Sequence, residues 1–109
     1  MKSKSDSSVV VLVTAPTMNI ARKLTRAAFK ARLIACSNLL PKIESHYVWK
    51  GKVESVTEVL IMMKTTTGKV AALQEFVLKA HPYDTAEFVV LPITSGSKKY
   101  LDWIKASVT

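Results

Sequence analysis

Cysteine, glycine and acid are all scarce in this chain, and each scarcity excludes something. A single cysteine, Cys36, cannot close an internal disulfide, which suits a reducing compartment. The three glycines, Gly51, Gly68 and Gly96, stand far apart, so no glycine-rich phosphate loop exists, and neither a Gly-x-Ser-x-Gly elbow nor a His-Glu-x-x-His helix is present. The familiar hydrolase and metalloprotease sites are therefore excluded. No apolar run reaches the length of a membrane span, and the start lacks the apolar stretch and small-residue cleavage site of a secretory signal. The expectation is a cytoplasmic protein with no membrane partner. Eight acidic residues face sixteen basic ones, a net charge of +8. Arg22, Lys23, Arg26, Lys30 and Arg32 lie on one predicted helix while the other eleven cations are spread thinly, so the excess reads as a solvated surface. Arg22, Arg26 and Lys30 form a stripe at i, i+4 and i+8 that offers at most a weak anion-binding face.

What the chain does have is apolar content, 49% of 109 residues, enough for one domain with a real core. Residues 1–8 are polar and serine-rich and read as a disordered tail, leaving 9–109 as a single domain. Val9 to Ala15 has the length of a buried strand. Thr17 suits an N-cap, and Ile20, Leu24, Ala27, Ala28 and Ala31 recur at helical spacing over Met18 to Arg32.

From Ile34 to Lys64 the pattern is that of two long strands folded over a tight turn at Lys50-Gly51. Ile43, Ser45, Tyr47 and Trp49 share one face and Glu44, His46 and Val48 the other, with Pro41 marking a kink or an edge position. A strand of about 14 residues at ~3.4 Å each reaches roughly 45 Å, whereas a domain of this size has a radius of gyration near ~13 Å. The arms must bend or protrude. A protruding ribbon with Tyr47, Val48 and Trp49 near its tip calls for a partner, hence a homo-oligomer. The alternative is a hairpin bent over its own helices with Trp49 in the local core.

Thr65, Thr66 and Thr67 offer a hydroxyl cap for a second helix with the stripe Val70, Leu73, Phe76, Val77 and Ala80, which Pro82 stops. Glu87 to Ile93 reads as a fourth strand. Ser97 then caps a short helix presenting Tyr100, Trp103 and Ile104 on one side. The order is the split βαβ pattern: an α+β, ferredoxin-like sandwich with an antiparallel sheet, two main helices on one face, a long β-hairpin and a short C-terminal helix. RNA-binding modules share this architecture but need stacking rings on the central strands. Here Val9 to Val13 and Leu60 to Met63 are aliphatic, so no nucleic-acid partner is expected.

The residues also match a known family. Val13-Thr14-Ala15-Pro16, Leu33 through Asn38, Pro41, Ser45-His46-Tyr47-Val48-Trp49-Lys50-Gly51-Lys52, Glu58 to Thr66, His81-Pro82-Tyr83, Leu91-Pro92-Ile93 and Tyr100-Leu101-Asp102-Trp103 stand in the order and spacing of the CutA family of divalent-cation tolerance proteins, which the chain resembles from Val10 to Val108. The resemblance implies a ferredoxin-like protomer in a tight homotrimer, a link to copper tolerance and binding of divalent copper, and no catalytic reaction. Such a trimer is similar in architecture to the PII signalling proteins, which gives the alternative of a small-ligand sensor using the cleft between subunits.

For copper the resemblance points to a cysteine on the first strand and paired histidines before Pro-Tyr. Those places hold Val13, Ala80 and His81, so His81 alone matches, with Asp84 and Glu87 as oxygen donors. The plain alternative for His81 is a helix C-terminal residue favoured by the helix dipole. Tyr47, Trp49, Lys52, Glu58, Lys64, Tyr83 and Glu87 match positions that the family gathers at subunit clefts, where they would bind a ligand or anchor the interface. Cys36 reads as a small hydrophobe on an apolar strand, and Glu54 with Glu58 as a solubilising pair.

Overall fold

β1 (Ser8–Ala15) is the strand on which everything else is laid, in a computed structural model that describes residues 7–109. Its valines alternate between the two faces of the sheet. Val9, Val11 and Val13 are buried under the helices, while Val10 and Leu12 turn to the other side, where they remain half-covered. The polar tail expected over residues 1–8 lies outside the described residues up to residue 6. Ser7 accepts a hydrogen bond from the Thr67 amide at 2.8 Å, and Ser8 already pairs with Thr66.

α1 (Met18–Lys30) starts where the sequence predicts, with the Thr17 hydroxyl accepting from the Ile20 amide at 3.2 Å. It sets Ala21, Leu24 and Ala28 against the sheet. β2 (Cys36–Trp49) and β3 (Lys52–Thr66) form the long hairpin, and α2 (Thr67–Ala80) follows at once. No threonine hydroxyl caps α2, contrary to expectation. Thr66 is the N-cap residue without a side-chain bond, and the Thr65 hydroxyl instead donates to the Leu33 carbonyl at 2.8 Å, tying the strand end to the loop after α1. β4 (Val89–Pro92) is shorter than the predicted Glu87 to Ile93, because its ladder with β1 runs only from Val89 to Pro92.

The sheet order is β2-β3-β1-β4 with every pairing antiparallel. α1 and α2 share one face, where Val59, Ile61 and Met63 of β3 meet Leu73 and Val77 of α2. Fully burying each such side chain contributes about 1.5–3 kcal/mol. α3 (Lys98–Val108), capped by Ser97, closes a second small core in which Ile104 and Val108 meet Ala35. Of the three residues predicted to share its apolar side, only Ile104 goes inward. Tyr100 and Trp103 stay exposed, their ring centroids 5.6 Å apart.

The hairpin settles the length argument. Lys50 and Gly51 both have positive φ, 51° and 78°, the two-residue turn whose twist suits a ribbon, and Trp49 pairs with Lys52 across it. A Cβ at Gly51 would meet nothing, so glycine is favoured there by φ alone. Pro41 sits on edge strand β2 in a register shift between Leu40 and Ile43, with Lys42 at φ 60°. Beyond that bulge the ribbon leaves the body. The molecule measures 48 × 27 × 22 Å with a radius of gyration of 14.6 Å. Val48 and Val53 are 71% and 76% exposed and Trp49 43%, which disposes of a hairpin folded over its own helices.

Candidate functional site

α2 stops at Ala80 because Pro82 keeps His81 out of helical geometry; His81 is extended, and its own amide still donates to the Val77 carbonyl. That places the imidazole under the C-terminal end of β1. Only 8% exposed, it uses both nitrogens: Nε2 donates to the Thr14 carbonyl at 2.7 Å, and Nδ1 accepts from the Tyr83 amide at 3.1 Å. The partners fix the tautomer, since a carbonyl can only accept and an amide N–H only donate. No lone pair is left on the ring.

Pinned in this way, and with its ring 4.8 Å from the imidazole, Tyr83 reaches across to β3, where its hydroxyl donates to Glu58 Oε2 at 2.9 Å. Glu58 faces Ile43 just past the bulge and is 6% exposed, so the phenol satisfies a nearly buried carboxylate. Burial, then the bond to Glu58, pushes the Tyr83 hydroxyl up to about 12, which keeps it a donor. Glu87 joins from the same loop. Its carboxyl is held above the usual glutamate range, first by burial and second by the charge of Glu58.

These groups floor an open cleft of about 770 Å³ between the inner ribbon face and the loop 82–87. Tyr47 and Trp49 line the ribbon wall, Tyr83, Asp84 and Glu87 the loop wall, with Glu58 between. Six of the nine expected site residues thus come together in one chain. His81 lies behind the cleft as its support. Lys52 is exposed at the ribbon tip, outside the lining, and Lys64 sits at the far end of β3, where its Nζ donates to Asn38 Oδ1 at 2.9 Å and lies 5.7 Å from the Tyr100 ring centroid.

The expected metal set of His81, Asp84 and Glu87 does not assemble as ligands. Among the described residues no three His, Cys, Asp or Glu side chains converge as a metal would require. The physical reason is that the imidazole is consumed by the fold. Cys36 is half-buried rather than buried, 3.7 Å from the Tyr100 hydroxyl. Glu54 pairs with Tyr47 on the exposed ribbon, separate from the buried Glu58. Sequence reasoning missed Thr14, whose contribution is a backbone carbonyl 67 residues from its partner, a contact that no side-chain pattern carries. Among the described residues no helix is long and apolar enough to cross a membrane.

Comparison with known proteins bears on this geometry. Residues 9–107 match the family model of the CutA1 divalent ion tolerance protein. The chain is 48% identical over 92 residues to Protein CutA of Mus musculus, covering 84% of this chain and 52% of that protein, so it spans about half the length of that relative. It is 43% identical over 107 residues to the divalent-cation tolerance protein CutA of Escherichia coli O9:H4, covering 98% and 96%. Among solved structures it is similar to CutA1 from Oryza sativa, at a TM-score of 0.90 and 41% identity over 96% of each chain. The divalent cation tolerance protein from Thermus thermophilus superposes with a TM-score of 0.89 at 41% identity, over 92% of this chain and 97% of that one.

Proposed function

This chain belongs to the CutA1 divalent ion tolerance family, and from that premise we propose that it serves divalent-cation tolerance without catalysis, as a cytoplasmic homotrimer that takes the cation at the cleft carboxylates. The oligomer is supported by what one chain leaves uncovered. Val48, Val53 and Val56 on the ribbon and Leu40, Val89 and Leu91 on the sheet are all exposed, large apolar side chains that partner copies would cover. A lone cysteine suits a reducing compartment.

For copper, the donor set of one chain does not fit a preformed imidazole site, because His81 has no free lone pair and Val13 and Ala80 bring no donor. A carboxylate contact fits better. The observation that carries it is that Glu58 and Glu87 line one cleft, where burial and then the charge of Glu58 raise the Glu87 carboxyl, a repulsion that a divalent cation would relieve. Asp84 stands on the same loop. Cupric ion, the strongest binder of the divalent first-row metals for a given N or O site, is the cation such a contact takes most readily.

Isothermal titration with Cu²⁺ tests this. Saturable uptake is expected, weakened at least tenfold in Glu87→Gln. Uptake equal in native protein and variant, or none in either, overturns the reading. A second reading rests on the rings: a cleft of about 770 Å³ bearing Tyr47, Trp49 and Tyr83 has the size and lining of a small-organic-ligand site. A change in Trp49 emission on adding such a ligand, with metal chelated, would favour it.

A further inference from the structure

The face of α1 turned away from the sheet carries a charge pattern that neither the cleft nor the family assignment uses. Residues 9–43 contain no acidic side chain, and Arg22, Lys23, Arg26, Lys30 and Arg32 supply five of the eight net positive charges. The fold gathers them. At 100° per residue, Arg22, Arg26, Lys30 and Lys23 fall within about 100° of arc, opposite the buried Ala21, Leu24 and Ala28. All are exposed, and none is in an ion pair with a described residue, the pairs there being Glu44 with His46 and Lys98 with Asp102. Arg32 extends the row past the helix end, in the left-handed region at φ 59°, where glycine or asparagine would be the ordinary choice.

Such a row opposes helix stability. Arg22 with Arg26 and Arg26 with Lys30 are like charges at i, i+4, each pair destabilising, where a glutamate at 26 would turn both into favourable pairs. Lys30 and Arg32 have a local justification in the helix dipole, but Arg22, Lys23 and Arg26 do not. An external polyanion would offset repulsion that nothing among the described residues offsets.

We propose that the outer face of α1 is a docking surface for the phosphodiester backbone of nucleic acid, bound without sequence preference. The row runs straight for about 12 Å along a convex helix, which matches a linear polyanion better than a plane. Guanidinium groups favour phosphate because they donate two parallel bonds. An anionic membrane fits less well: the apolar face of α1 is already packed on the sheet and cannot insert, leaving only Phe29 at the rim of the patch. The absence of stacking rings on the sheet, which argues against an RNA-module reading, does not bear on this helix.

The test is fluorescence anisotropy of a labelled DNA duplex of about 12 base pairs, roughly 40 Å long, titrated with the full chain from about 50 to 200 mM salt. Four or five phosphate contacts predict a slope of log K against log salt of about −4. R22Q/R26Q/K30Q should weaken binding at least tenfold and flatten the slope by about 2.7, while its thermal melt is unchanged or raised. K50N/K98Q/K99Q removes the same charge elsewhere and should flatten the slope by less than about 1. Equal effects of the two variants would mean diffuse attraction and overturn the proposal, as would no binding at the lowest salt. Tighter binding to vesicles of anionic phospholipid, at equal phosphate, would also overturn it and reassign the face to membranes.

Discussion

Replacing His81 by alanine separates two accounts of the same residue. If the imidazole is a latch, the substitution strips the Thr14 carbonyl and the Tyr83 amide of their partner. An orphaned buried polar group costs about 1–3 kcal/mol, the half-buried Tyr83 amide falling at the low end, for roughly 2–4 kcal/mol in all. At about 4–8 °C per kcal/mol, the melting temperature should fall by about 8–32 °C. Circular dichroism melts read this directly, at one fixed protein concentration because an oligomer's midpoint depends on it. His81→Gln, with an amide donor and a carbonyl acceptor, should recover part of the loss. If His81 were instead the copper ligand, His81→Ala would melt within about 3 °C of native and lose its copper uptake. That result would refute the latch.

Three further outcomes follow from the cleft and the turn. Glu87 holds its proton more tightly when folded than when unfolded, so its contribution favours the fold below the ordinary glutamate pKa and is lost as pH rises through the elevated one. Glu87→Gln should therefore melt higher than native at pH 7, with the advantage shrinking toward acid, as melts across pH will show. Tyr83→Phe removes the donor from nearly buried Glu58 and should destabilise by about 1–3 kcal/mol in urea unfolding. Gly51→Ala forces alanine to φ near 78° in open space and should cost about 1–2 kcal/mol, whereas Gly51→Asn should cost less.

Local chemistry explains which parts were readable in advance. Thr17, the Lys50-Gly51 turn and Pro41 at the bulge each act through their own backbone or nearest neighbours, so residue type alone locates the helix start, the hairpin and its kink. The apolar run from Val9 to Ala15 likewise marks a buried strand, but only the fold decides that Val9, Val11 and Val13 take the covered face. The site was only half readable. Tyr47, Trp49, Glu58, Tyr83, Asp84 and Glu87 do meet, but Lys64 faces α3 because β3 is long enough to serve both ends of the molecule. His81 was legible only as the residue at the end of α2: its bonding depends on a carbonyl from β1, which the topology supplies and a pattern of side chains cannot. The stripe of Arg22, Arg26 and Lys30 on α1 was legible from its i, i+4 spacing, and the fold adds that the sheet takes the opposite face.

The ribbon carries Val48 and Val53 into solvent, and the proposed trimer would cover them and draw the cleft carboxylates into the assembly. Sedimentation equilibrium at micromolar concentration measures this most directly. The mass should be about 36 kDa, three times the 12.0 kDa chain, and should fall in Trp49→Ala. A 12.0 kDa species with native melting behaviour would contradict the account.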